Sequence, residues 1–158
     1  MDLQNFLTTN KIEFILHQHP AVFSSEEVIK NFVNVPGVVC KNLFLCDKKG
    51  QKFFLLIIPL YKKADLKRFA KLVDVNKVTF ASHVLLKEKL GLNPGSVSPT
   101  GILHDKKAEV AIYIDRELYD SERVNFHPDI NTASLELSKD MFHKFLQATK
   151  RQYNVIDL

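Results

Sequence analysis

Lys41 stands in the apolar stretch Val38 to Asp47, and on a strand it shares a face with Val39, Leu43 and Leu45. An ammonium on such a face is costly unless its head reaches water or meets an anion. Lys41 is therefore either an edge lysine extended to solvent or a lysine at a pocket mouth, set for a phosphate or carboxylate. A second candidate is the run Asn93-Pro94-Gly95-Ser96-Val97-Ser98-Pro99-Thr100-Gly101, the densest group of turn formers in the chain. Amides on such a fixed path can cradle an anion or a developing oxyanion; otherwise the run is a plain connecting loop. A third is Asn125 to Ser134, where His127 at a strand end is followed by Asn131, Thr132 and Ser134. These residues supply several donors and acceptors in one turn, or else the histidine only organises that turn.

Other reactive types are less telling. His17 and His19 could ligate a metal from one strand face, but spacing places no third or fourth ligand, so no metal site is expected. His83, His104 and His143 read as surface or helix-face residues, and Asp115, Glu117, Asp120 and Glu122 as a solvated charged loop. No G-x-G-x-x-G, Walker loop or G-x-S-x-G is present, and no cofactor is implied. Cys40 and Cys46 fall on one face of a strand, about 20 Å apart at ~3.3 Å per residue, too far to bridge. They read as small buried hydrophobes.

Hydrophobic spacing gives the elements that must position these groups. Leu3, Phe6 and Leu7 open a short helix, and Ile12, Phe14 and Leu16 alternate as a strand. Ser24 and Glu27 form a capping box before Val28, Ile29 and Phe32, with Asn34-Val35-Pro36-Gly37 as the stop. Val38 to Asp47 and Phe53 to Ile58 make a hairpin about Lys48-Lys49-Gly50, the second strand buried on both faces. Leu66, Phe69, Ala70 and Val73 mark a helix with Lys63, Lys67, Arg68 and Lys71 outside. Val78 and Phe80 suggest a short strand, and Ser82 caps a helix that Gly91 ends. Strands follow around Val110–Ile114, Val124–Phe126 and Ala133–Leu137, then a helix from Ser138. The segment 150–158 reads as a poorly ordered tail. About seven strands and five helices, with hairpins among the helices, predict an α+β fold: a mixed, mostly antiparallel, barrel-like sheet with helices outside.

The chain has 158 residues, 46% hydrophobic and 25% charged, which fits one globular domain. Lysine plus arginine number 22 against 18 acids, a net charge of +4 that mildly favours phosphate-bearing partners. No apolar run approaches the ~20 residues of a membrane helix, and the N-terminus has no secretory pattern. The expectation is a cytoplasmic protein without a membrane partner.

Three stretches line up in one order with a known family. VVCKNLFLCDKKG around Lys41, GSVSP from Gly95 to Pro99, and FHPDINTAS from Phe126 to Ser134 together resemble the free-standing prolyl-tRNA editing proteins. These belong to the superfamily of YbaK-like deacylases and the editing domain inserted in bacterial prolyl-tRNA synthetases. HPAVFSSEEV, from His19 to Val28, resembles the family's stretch after its first strand. The resemblance implies one deacylase domain over residues 1–149 that hydrolyses the ester between a wrong amino acid and tRNA. Its FHPxxNTA form resembles the subgroup that clears alanine from proline tRNA, with the cysteine-clearing subgroup as rival. A non-catalytic tRNA- or synthetase-binding module of the same fold is a further alternative.

Carried over by position, Lys41 contacts the terminal adenosine phosphate or ribose. Gly95 and Pro99 end a loop whose backbone lies against the aminoacyl group, bringing Ser96, Val97, Ser98, Thr100 and Asn131 to the substrate. His127 falls on the family's histidine and is a possible general base. Lys62, Lys63, Lys67, Arg68, Lys106 and Lys107 are expected to meet the acceptor end of the tRNA. Prolyl-tRNA synthetase or an elongation factor is a possible partner. The family often has a bulky apolar residue after this loop, whereas Thr100-Gly101 stands here, which leaves pocket size open.

Overall fold

The computed structural model describes residues 2–31 and 35–158. Its strands are β1 (Ile15–Gln18), β2 (Val38–Asp47), β3 (Phe53–Pro59), β4 (Val78–Phe80), β5 (Val110–Asp115), β6 (Arg123–Phe126), β7 (Ala133–Ser138) and β8 (Tyr153–Ile156). The helices are α1 (Leu3–Thr9), α2 (Ser25–Asn31), α3 (Leu66–Leu72), α4 (His83–Leu90), α5 (Arg116–Asp120) and α6 (Lys139–Ala148), with a 3-10 helix at Pro99–His104. The expected α+β class is the one observed. Phe32 and Asn34, assigned to the second helix and its stop, lie outside the described residues.

The sheet runs β1-β7-β6-β2-β3-β5-β8, with β4 paired to β2. The β1–β7, β2–β3, β2–β4 and β6–β7 pairs are antiparallel, and β2–β6, β3–β5 and β5–β8 parallel. It does not close into a barrel, because β1 and β8 end the path. All seven residues of β3 are buried, since both of its faces are covered. Phe53, Leu55 and Ile57 join the main core with Phe126, Leu135, Phe142 and Phe145. Phe54, Leu56 and Ile58 meet Phe69 and Ala70 of α3 in a second cluster. Caps fix the helix starts: Asp65 accepts from the Arg68 amide and Ser82 from the Leu85 amide. Gly91, at φ 65°, ends α4.

Three expectations are corrected. Residues 153–156 are not a loose tail but β8, parallel to β5. Arg151 pins them, donating to the Asp105 carboxylate at 2.9 Å and the Val110 carbonyl at 2.7 Å. The supposed charged loop at Asp115 is the capped start of α5: Asp115 is buried, accepts from the Glu117 amide, and pairs with Lys62. The first strand starts at Ile15 rather than Ile12, which turns into the main core instead.

β2 is the hinge of this architecture. Val38 and Val39 pair with Val124 and Asn125 of β6, while Cys40 to Cys46 pair with β3. The two parallel strands part after Val39 and Asn125. Lys41 and His127 each stand two residues beyond that last paired position. The point where parallel neighbours part, at their carboxyl ends, is the crevice position at which α/β sheets commonly bind ligands.

Candidate functional site

Three segments converge on this crevice. The Gly95–Pro99 loop is held on the His127 turn by side-chain bonds, the Ser98 hydroxyl donating to the His127 carbonyl and the Thr100 hydroxyl to the Asp129 carboxylate. Both hydroxyl residues are fully buried, so losing either partner would cost about 1–3 kcal/mol. The segment 19–23 is tied to the same turn. The Val22 amide donates to the Asn131 carbonyl, and the Asn131 side chain donates to the Val22 carbonyl, each at 3.1 Å. A Cβ built on Gly95 would lie 4.0 Å from the Phe23 ring, so this segment also flanks the loop. Val22 packs with Val39, two residues before Lys41 on β2, and with Leu60, whose amide donates to the Val39 carbonyl, so this segment also meets the strand that carries the lysine.

Lys41 is half-buried, and its ammonium donates to the Lys62 carbonyl. Burial pulls its pKa below the ordinary lysine value. Val39 and Leu43, its neighbours on the face, are half-buried hydrophobics packed against the smaller clusters, as alternation along β2 requires. Cys40 and Cys46 are free thiols on the opposite face in the main core, and burial pushes the Cys40 thiol up.

His127 is half-buried, its ring 6.0 Å from that of His19. Its Nδ1 lies 3.1 Å from the Ala133 carbonyl, which can only accept, so Nδ1 carries the proton and Nε2 is the basic nitrogen. Burial, and to a smaller degree His19, lowers its pKa against the raising effect of that bond. The neutral ring is thus favoured, as a proton acceptor requires.

In the loop, Gly95 takes φ 83°, a left-handed conformation that favours glycine. The Ser96 amide is engaged by the Asn93 carbonyl and the Thr100 amide by Ser98 Oγ. Among the described residues, the amides of Gly95, Val97 and Ser98 make no hydrogen bond. Val97 packs on the main core, and Pro99 is buried at the start of the 3-10 helix.

The proposed phosphate contacts differ in availability. Lys63, Lys67 and Arg68 are exposed at α3, and Lys106 and Lys107 are exposed beyond the 3-10 helix. The Lys62 ammonium instead pairs with Asp115 at 3.0 Å and Glu117 at 3.1 Å.

The crevice segments rest on a buried polar layer in which Glu136 and Arg123 were not anticipated from the sequence. Glu136 is 3% exposed and bridges His17 and Arg123, each at 2.7 Å. Buried Ser134 meets His19 Nε2 at 3.1 Å. Asn125 is fully buried; its amide nitrogen donates to the Pro36 carbonyl, while its Oδ1 has no partner among the described residues. Alternation along Ala133–Ser138 places Ser134 and Glu136 opposite Leu135 and Leu137, but that pattern also describes a solvent-facing strand. His104 is likewise no plain surface residue, since it pairs with Asp129 at 2.9 Å. Among the described residues no group of three or more His, Cys, Asp or Glu could hold a metal. A cavity of about 530 Å³ beside the turn is lined by Leu7, Leu16, His19 and Ala133, but not by Lys41, Gly95 or His127.

Residues 19–145 match the model of the aminoacyl-tRNA editing domain. The chain belongs to that family. This editing domain is 34% identical over 148 residues to the prolyl-tRNA editing protein ProX of Acetoanaerobium sticklandii, covering 94% of this chain and 90% of the relative. It is 31% identical over 151 residues to prolyl-tRNA synthetase associated domain-containing protein 1 of Danio rerio, covering 94% and 82%. A crystal structure described as a candidate trans-editing enzyme for prolyl tRNA synthetase shares its fold. The TM-score is 0.74 at 22% identity, over 99% of this chain and 93% of the other. All three segments of the crevice fall within the matched residues. No helix among the described residues is long and apolar enough to cross a membrane.

Proposed function

We propose that this chain is a trans-editing deacylase that hydrolyses mischarged tRNA(Pro), with alanine as the amino acid removed. Family membership supports an editing role. The observation that carries the reading is the Gly95–Pro99 loop, with unengaged amides, held on the His127 turn where β2 and β6 part beside Lys41.

An aminoacyl ester is already labile, so the site needs a placed water and an oxyanion donor more than a strong nucleophile. The Gly95, Val97 and Ser98 amides supply that donor. The basic Nε2 of His127 takes a proton from water as its oxygen attacks the ester carbon. Collapse of the tetrahedral adduct breaks the bond to the ribose oxygen, which takes the proton back from the His127 imidazolium and leaves as the tRNA hydroxyl, and the free amino acid departs. Lys41 anchors the 3′ end through its phosphate or ribose. Lys63, Lys67, Arg68, Lys106 and Lys107 draw in the acceptor stem, and Lys62, held by its acids, contributes less. A pocket sized for alanine rejects the prolyl ring by clash, which discriminates more sharply than the ~1–3 kcal/mol of a missing methylene. Any synthetase or elongation factor would act as a docking partner for the tRNA.

The test is ester loss from tRNA(Pro) charged separately with alanine, cysteine, serine and proline. The expected result is selective loss of alanine. A preference for cysteine would move the pocket assignment and keep the mechanism. Binding of tRNA without any ester loss would replace the enzyme by a binding module.

A further inference from the structure

Asp129 sits two residues after His127 with φ 66°, a left-handed conformation that a non-glycine residue holds only at some cost. Both of its carboxylate oxygens are engaged. Oδ1 accepts from the Thr100 hydroxyl, and Oδ2 lies 2.9 Å from His104 Nε2. Thr100 and His104 both belong to the 3-10 helix that continues the Gly95–Pro99 loop. The carboxylate therefore joins both ends of that helix to the turn bearing His127. Next to it, Ser98 reaches the His127 carbonyl, and the Ser98 and Thr100 oxygens are 2.6 Å apart.

We propose that Asp129 is a positioning residue: by holding Thr100 and His104 it fixes the Gly95–Pro99 loop at one distance from the His127 turn, and so sets the size limit of the aminoacyl pocket. This rests on the reading that the loop lines that pocket. The chemistry of Thr100 explains why a hydroxyl residue stands there. A valine of the same shape would leave one oxygen of this half-buried carboxylate without its donor, and the loop would relax to re-solvate it. Serine keeps the donor and loses only a methyl. Gly101 packs closely beside it, since a Cβ there would lie 2.7 Å from Leu92 Cδ1 and one of the two would have to shift.

The experiment compares wild type with Thr100→Val, Asp129→Ala and Thr100→Ser. Two quantities are read: amide hydrogen exchange over residues 95–101, and the ratio of alanyl- to prolyl-ester hydrolysis on tRNA(Pro). Thermal melts confirm that each variant folds, and Thr100→Val, which removes the same bond from the other side, carries the test if Asp129→Ala does not fold. Thr100→Val and Asp129→Ala should each raise exchange across the loop and lower the ester ratio about tenfold, the double variant adding little. Thr100→Ser should restore both. A folded Thr100→Val protein with wild-type loop exchange and an unchanged ratio would overturn the clamp. Wild type that cleaves no ester would instead overturn the deacylase reading and the size limit with it. A residue that merely staples the fold would change melting temperature without shifting the ratio.

Discussion

At the scale of single residues, His127 gives the most direct titration. Its folded pKa lies below the ordinary 6.5, chiefly through burial. Between that lowered value and 6.5 the unfolded chain binds more protons than the folded one. Stability therefore rises with pH across this window and is lost as pH falls through it. Denaturant midpoints measured from about pH 7.5 down to about pH 5 should drop more steeply for wild type than for His127→Gln. Parallel curves would show that the ring titrates as a free imidazole. Lys41 and His127 were legible in the sequence because each breaks a pattern, a cation on an apolar face and an imidazole at a strand end. Asp129 and His104 were not. The partners of Asp129, Thr100 and His104, are distant from it in sequence, and nothing local distinguishes a carboxylate in a turn from one that holds a neighbouring loop.

At the scale of elements, the eighth strand, α5 and the 3-10 helix were the missed parts. Seven strands carry apolar alternation or runs, and all seven form. Tyr153–Ile156 is short and polar-flanked, and its order comes from β5 and from Arg151 on Asp105, contacts no local pattern encodes. Removing residues 153–158 should lower unfolding stability by about 2–4 kcal/mol, from the buried Ile156 and the lost ladder. Unchanged denaturant midpoints would return the segment to a loose tail. Gly101→Ala tests the seat of the 3-10 helix in the same way. Its Cβ would press on Leu92 and Leu90, costing about 1–3 kcal/mol in stability. A melt equal to wild type would mean that the helix has room to shift.

At the scale of the whole molecule, a net charge of +4 matters less than where the charges are free. Lys62 and Lys89 are paired with acids, whereas Lys63, Lys67 and Arg68 stand exposed at α3, the helix that covers the Lys41 face of the sheet. Affinity for uncharged tRNA should fall steeply with salt. The combined change Lys67→Ala and Arg68→Ala should flatten that dependence by about one to two units of log–log slope, whereas Lys62→Ala should change it less. Equal slopes for all three proteins would mean that α3 meets no phosphate. On the proposed reading, a 3′ end enters from solvent where β2 and β6 part, rather than through a barrel interior. The central claim is that the lysine and loop at this crevice perform ester hydrolysis. Its most direct measurement is the single-turnover rate of alanine release from alanyl-tRNA(Pro) by wild type and by Lys41→Ala at one enzyme concentration below saturation. The account predicts release well above the uncatalysed rate, reduced about 10–100-fold in the variant, as for loss of one charge-assisted contact. Release at the uncatalysed rate, or equal release by the two proteins, would contradict it.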